Sequence, residues 1–153
     1  MARLDLKIHP PVVALLCAAL AWLLARFTAG FTFLLPVTTP ISVILVLAGI
    51  SLALSGVIAF RKAKTTPNPH TPEKSTSLVR SGPYRFTRNP MYLGLGVALL
   101  GFCIYLSNPL TVVALVAFIT YLTRFQIMPE ERVLLQTFGE TYVAYTRSVG
   151  RWL

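Results

Sequence analysis

Two short stretches hold most of the residues that could do chemistry. The first runs from Arg80 to Tyr92 and carries Arg80, Arg85, Arg88, Pro83, Pro90, Tyr84, Tyr92 and Asn89. The second is the adjacent pair Glu130-Glu131, two of only 5 acidic residues in the chain. Asn89-Pro90 suits a helix start, because asparagine can cap and proline fits the first turn. Free N–H groups at a helix start, with arginines beside them, form an anion site. The glutamates can receive a cation. A pocket with an anion-binding end and a cation-binding end suits a zwitterionic ligand.

Each residue also has a plainer reading. Arginines that flank a membrane helix anchor it at the headgroups, and Tyr84 and Tyr92 fit an interfacial aromatic belt. Glu130 and Glu131 fit the positive end of a helix dipole. His9 and His70 lie in polar stretches and are assigned no role. Cys17 and Cys103 lie inside apolar runs without ligand spacing, so neither a metal site nor a disulfide framework is expected. Gly94-Leu95-Gly96 follows no strand, so it reads as a helix-packing element and not as a dinucleotide fingerprint.

The elements that must position these residues follow from composition. The chain has 153 residues, of which 55% are hydrophobic and 12% charged. A soluble domain carries roughly 25% charged residues, so lipid is the main solvent here. The length suggests a single membrane domain over residues 1–153. The net charge is +9, but the bases sit in the gaps between apolar runs. That placement suits anionic headgroups, and no nucleic acid partner is expected.

Four apolar runs read as transmembrane helices, over about 11–28, 41–60, 91–106 and 109–124. The first is read as a retained helix, because no small-residue cleavage site closes it. Gly49, Ser51, Ser55 and Gly56 line the second with small residues that favour close packing. A polar loop, 61–90, holds a basic cluster and the prolines between Thr65 and Ser77. Ser107-Asn108-Pro109 breaks the long uncharged run into a hairpin of two helices, each about 24 Å long. Leu134, Phe138, Tyr142, Tyr145 and Val149 recur at helical spacing, which predicts one amphipathic helix over 129–149. The predicted fold is therefore an all-α integral membrane bundle of about four transmembrane helices plus a C-terminal amphipathic helix. With four spans, all of the 14 basic residues except Arg26 fall on one side. The positive-inside rule then puts both termini, the Arg80–Tyr92 stretch and Glu130-Glu131 in the cytoplasm.

The two stretches together carry a resemblance. Leu78-Val79, Gly82-Pro83-Tyr84-Arg85 and Arg88-Asn89-Pro90-Met91-Tyr92-Leu93-Gly94 come first. After the hairpin come Glu130-Glu131, Leu134, Phe138-Gly139, Tyr142, Tyr145 and Val149. In this order they resemble the isoprenylcysteine carboxyl methyltransferase family and its phospholipid methyltransferase relatives. The resemblance covers about half the chain, Leu78 to Trp152. It implies S-adenosylmethionine (SAM) as methyl donor, bound without a Rossmann domain, in a bacterial inner membrane.

By position it implies that Tyr84, Arg88, Asn89, Pro90, Tyr92, Leu93, Gly94, Glu130 and Glu131 contact the cofactor, with Arg88 and Glu131 closest to the chemistry. It implies a lipophilic small molecule or lipid-modified acceptor, reached from the membrane lipids: an isoprenylcysteine-like carboxylate, a thiol or a lipid amine. Many family members carry histidine at the position of Asn89. The eukaryotic enzymes carry an arginine shortly before the acidic pair, where this chain has Gln126 and, earlier, Arg124. Steroid and sterol reductases, which use NADPH, share the C-terminal layout but have an acidic residue where this chain has Leu95. A non-enzymatic membrane protein that packs through the second helix is the remaining alternative.

Overall fold

A computed structural model describes residues 6–33, 37–63 and 78–153. Arg3, Pro36, Lys64, His70, Lys74 and the polar stretch from Thr65 to Ser77 lie outside the described residues. Among the described residues there is no strand. The helices are α1 (Pro10–Phe27), α2 (Thr38–Lys62), α3 (Pro90–Leu106), α4 (Val112–Leu122), α5 (Met128–Phe138) and α6 (Glu140–Ser148). Pro10–Phe27, Thr38–Lys62 and the continuous run Pro109–Phe138 are long and apolar enough to cross a membrane, and Pro90–Leu106 is a shorter apolar helix. The chain is an all-α integral membrane bundle.

Small residues set the closest contact, between α2 and α3. A Cβ added to Gly94 would lie 2.5 Å from the Gly49 carbonyl and 2.6 Å from the Ala53 amide. A Cβ on Gly101 would lie 2.9 Å from the Ser42 carbonyl. The two backbones touch, which is how helices associate when lipid removes the hydrophobic drive between them. On the other side, Val13, Cys17 and Ala21 recur every four residues along α1 and join the core formed by Leu99, Cys103, Ala114, Phe118 and Leu122. The turn between α3 and α4 passes through Ser107 at φ 51°. Asn108 accepts from the Leu110 amide at 3.0 Å and donates to the Thr28 carbonyl at 2.9 Å, so it ties the hairpin to the end of α1.

Two departures from the sequence reading bear on function. The fourth span does not stop at Arg124. It continues through a π-helical turn, Thr123–Ile127, directly into α5. Pro129 has no N–H for the Phe125 carbonyl four residues back, and its ring would crowd that carbonyl in a regular α-helix. The wider turn relieves the crowding. The Leu6 amide takes the freed carbonyl at 3.0 Å. Further on, the predicted helix over 129–149 is two helices. Gly139 sits at φ 50°, ψ −128° between α5 and α6, a conformation that only glycine adopts without strain. The apolar set still meets around the bend: Tyr142, Tyr145 and Val149 are buried together, packed by Leu78, Leu134 and Phe138.

Candidate functional site

The bend at Gly139 folds α6 back toward the residues that precede α3. Tyr145 donates to the Tyr84 carbonyl at 2.7 Å, and the Arg88 amide donates to the Gly150 carbonyl at 3.0 Å. These contacts bring the segment before α3, the first turn of α5 and the stretch after α6 to one place. Their side chains meet on Glu131. Arg88 Nη1 lies 3.0 Å from Glu131 Oε1. Arg151 approaches with two atoms, Nε to Oε1 at 3.0 Å and Nη2 to Oε2 at 2.7 Å. Tyr142 completes the cluster, with its hydroxyl 3.5 Å from Arg88 Nη1.

A cavity of about 540 Å³ opens here, and its charged lining is Arg88, Arg132, Arg151 and Glu131. Met128, Leu135 and Val143 give it an apolar wall. Its size falls in the range of small-molecule sites, roughly 300–1,000 Å³. With three guanidiniums and one carboxylate, its field is positive. The Nε of Arg88 is buried and has no hydrogen-bond partner among the described residues. A buried donor of this kind is costly unless something accepts from it. Burial, with Glu131 nearby, raises the pKa of the Tyr142 phenol, so it stays protonated at neutral pH. The hydrogen bonds to Glu131 raise the pKa of Arg151.

The other sequence-derived residues divide by position. Tyr92 and Glu130 pair with each other: the Tyr92 hydroxyl donates to Glu130 Oε1 at 2.6 Å, and Gln126 Nε2 donates to the same oxygen at 2.8 Å. Neither Tyr92 nor Glu130 is on the cavity wall. The Asn89 side chain makes no cap to α3 and instead donates to the Arg151 carbonyl at 2.8 Å. Tyr84 is buried against Ala59 and stacks edge-on to Phe60 of α2, with ring centroids 5.3 Å apart. Gly94 lies against Gly49 and Ala53, and Pro90 lies near Gly56. Leu93 is half-buried, and its amide closes the first turn of α3 on the Asn89 carbonyl at 2.9 Å. So Arg88 and Glu131 share the cavity, while Tyr84, Pro90 and Gly94 fasten the preceding segment and α3 to α2.

Sequence reasoning missed Arg151 and the polar role of Tyr142. Tyr142 read as part of an apolar stripe, and Arg151 as one more base on the cytoplasmic side. Nothing in the local sequence marks Arg151, because its approach depends on the bend at Gly139 and on the fold-back after Ser148.

Comparisons with known proteins identify the family. A family model described as phospholipid methyltransferase matches residues 37–141. A Haemophilus influenzae chain described as an uncharacterized protein is 40% identical over 63 residues, which cover 41% of this chain and 100% of that one. The protein-S-isoprenylcysteine O-methyltransferase of Saccharomyces cerevisiae is 37% identical over 81 residues, 51% of this chain. The chain spans only 33% of the yeast enzyme's length. No solved structure matches. The family match covers well over half of the chain, including α2, α3, the hairpin and Glu130-Glu131, and on that ground the chain belongs to the phospholipid methyltransferase family of integral membrane proteins.

Proposed function

We propose that this chain is a SAM-dependent methyltransferase that binds its donor in the Arg88–Glu131 cavity and methylates a carboxylate carried on a lipophilic molecule. One observation carries the reading: Arg88 and Glu131, on segments far apart in sequence, meet at 3.0 Å on the wall of a cavity of about 540 Å³. The residues present fit the donor. The buried, unpartnered Nε of Arg88 suits the donor's carboxylate. Glu131 accepts three hydrogen-bond contacts from Arg88 and Arg151. A carboxylate offers about four lone-pair positions, which leaves one for the donor's ammonium. Glu131 is thus the cofactor-side glutamate, while Glu130 with Tyr92 braces the helix start from within. Tyr84, Asn89, Pro90, Leu93 and Gly94 act as the frame that holds Arg88.

Bound SAM supplies an electrophilic methyl group on a sulfonium, which a nucleophile takes in a single in-line displacement. What this chain must add is alignment and exclusion of water. The choice of acceptor follows from proton chemistry. An amine or thiol has a proton to lose, and among the described residues the cavity wall holds no ready base. Its arginines do not release or take protons, its tyrosine is kept protonated, and its one glutamate is committed to two guanidiniums. A carboxylate needs no base, and the positive field of the cavity attracts it. The half-exposed Met128 and Leu135 offer an apolar path for its chain. The basic bias supports a cytoplasmic site at the bacterial inner membrane, with both termini inside.

The test is transfer of a labelled methyl group. Membranes containing the protein are incubated with methyl-labelled SAM, the lipid extract is resolved, and the product is treated with mild alkali. A methyl ester releases its label as methanol, whereas a methylated amine or thioether retains it. Folded protein in detergent that neither binds SAM nor transfers label would overturn the reading. Alkali-stable product would overturn the acceptor assignment alone.

A further inference from the structure

The residues after α6 run beside the cavity, which Arg151 lines, and bond to the segment before α3 and to the π-helical turn. The Gly150 carbonyl accepts from the Arg88 amide at 3.0 Å. The Arg151 carbonyl accepts from Asn89 Nδ2 at 2.8 Å and from Thr87 Oγ1 at 3.4 Å. Trp152 Nε1 donates to Thr123 Oγ1 at 3.1 Å, which fastens the segment to the π-helical turn. Gly150 is required for this path, because a Cβ there would collide with the Leu153 carbonyl. The segment therefore bridges the residues before α3 and the helix that carries Glu131.

The side chain of Arg151 does something Arg88 does not. Arg88 holds Glu131 through a single nitrogen, which leaves the carboxylate free to turn about its last bond, a broad torsion. Arg151 grips both oxygens, at 3.0 and 2.7 Å, and so fixes the plane of the carboxylate. The Glu131 and Arg88 side chains are only 16% and 14% exposed, so solvent does not average this orientation away. We propose that Arg151 is a positioning residue: carried by the Gly150–Trp152 strap, it sets the orientation in which Glu131 and Arg88 receive the donor. This rests on the donor site proposed above and adds the device that orders it.

The experiment uses the full chain in lipid nanodiscs. Binding of S-adenosylhomocysteine, the demethylated donor, is read by calorimetry, and steady-state transfer is read with labelled SAM. Arg151→Gln is expected to weaken donor binding roughly tenfold or more, the scale of a charge-assisted contact. The donor KM should rise while the acceptor KM stays put. Arg151→Lys keeps the charge without the two-pronged grip and should fall between the two. Millimolar guanidinium should restore binding to Arg151→Ala, which a role confined to folding would not allow. In a Glu131→Gln background the Arg151→Gln change should add no further loss. Trp152→Phe, which removes the anchor to Thr123 and keeps an aromatic ring against the core, should shift binding the same way by roughly twofold to tenfold. It keeps the idea testable if the Arg151 variants do not fold. If the unaltered protein binds no donor, the functional reading falls and takes this inference with it. If it binds, but the Arg151 and Trp152 variants bind equally well, or the losses with Glu131→Gln simply add, the inference alone falls.

Discussion

Replacing Arg88 by lysine isolates the geometry of the site from its charge. Lysine keeps the positive charge but is shorter at its tip and is a point donor, not a planar fork. The native guanidinium uses Nη1 for Glu131 at 3.0 Å and keeps a buried Nε without a hydrogen-bond partner among the described residues. The lysine ammonium falls where the guanidinium carbon was and puts a methylene at the Nε position, so the Nε–H donor is lost. The loss is one charge-assisted hydrogen bond, about 1.5–3 kcal/mol, or about tenfold to a hundredfold in donor affinity at 1.4 kcal/mol per tenfold. Stability should change far less, since the charge facing Glu131 remains. The assay is calorimetric titration of detergent-solubilised protein with S-adenosylhomocysteine, paired with thermal unfolding of the same samples. A variant that unfolds like the parent yet binds donor within about threefold of it would refute the assignment of Arg88 to the donor's carboxylate.

Two further tests address the frame. Gly94→Leu should lower thermal stability in detergent by about 1–3 kcal/mol or more, because its Cβ would meet the Gly49 carbonyl at 2.5 Å and the Ala53 amide at 2.6 Å. Gly96→Ala should be close to neutral in the same measurement, since its Cβ would meet only Phe118, at 3.4 Å. Tyr145 should resist ionisation: burial pushes its phenol up to about 12, with Tyr142 adding to the effect. Its folded pKa lies above the unfolded value of about 10, so its contribution to stability is complete below pH 10 and is lost between pH 10 and 12. Stability measured over that interval should fall less steeply in Tyr145→Phe than in the parent.

The bundle was legible in the sequence because hydropathy reports the solvent directly. Uncharged runs such as Ile41 to Ala59 have no reading but burial in lipid or protein. The meeting of Arg88 with Glu131 was legible only through family resemblance, since no local pattern says that two segments separated by a hairpin will touch. Pro129 illustrates the limit on helix ends. Proline weighs against helix continuation, and the sequence reading began a new helix there, but the π-helical turn carried the chain past it. Gly139 was visible as a glycine after Phe138, a common C-terminal signal, yet the apolar spacing from Leu134 to Val149 outweighed it. The spacing reported correctly which residues cluster and wrongly that one straight helix carries them. Arg151 was beyond reach, because nothing about an arginine near the end of a basic chain distinguishes a partner of Glu131 from a headgroup anchor.

The bond between the Leu6 amide and the Phe125 carbonyl has a bearing on how position 6 tolerates change. The group that Pro129 leaves without a donor is supplied by main chain, so the identity of the side chain is irrelevant to the match. A mutational scan should find this position open to residues that accept a left-handed backbone and closed to proline, which has no N–H to offer and would leave the Phe125 carbonyl without its donor. Leu6 also sits at φ 57°, where glycine and asparagine are at ease. Homologous chains are then free to diverge at this site while preserving the same docking, and an alignment column of mixed residues would conceal a fixed contact.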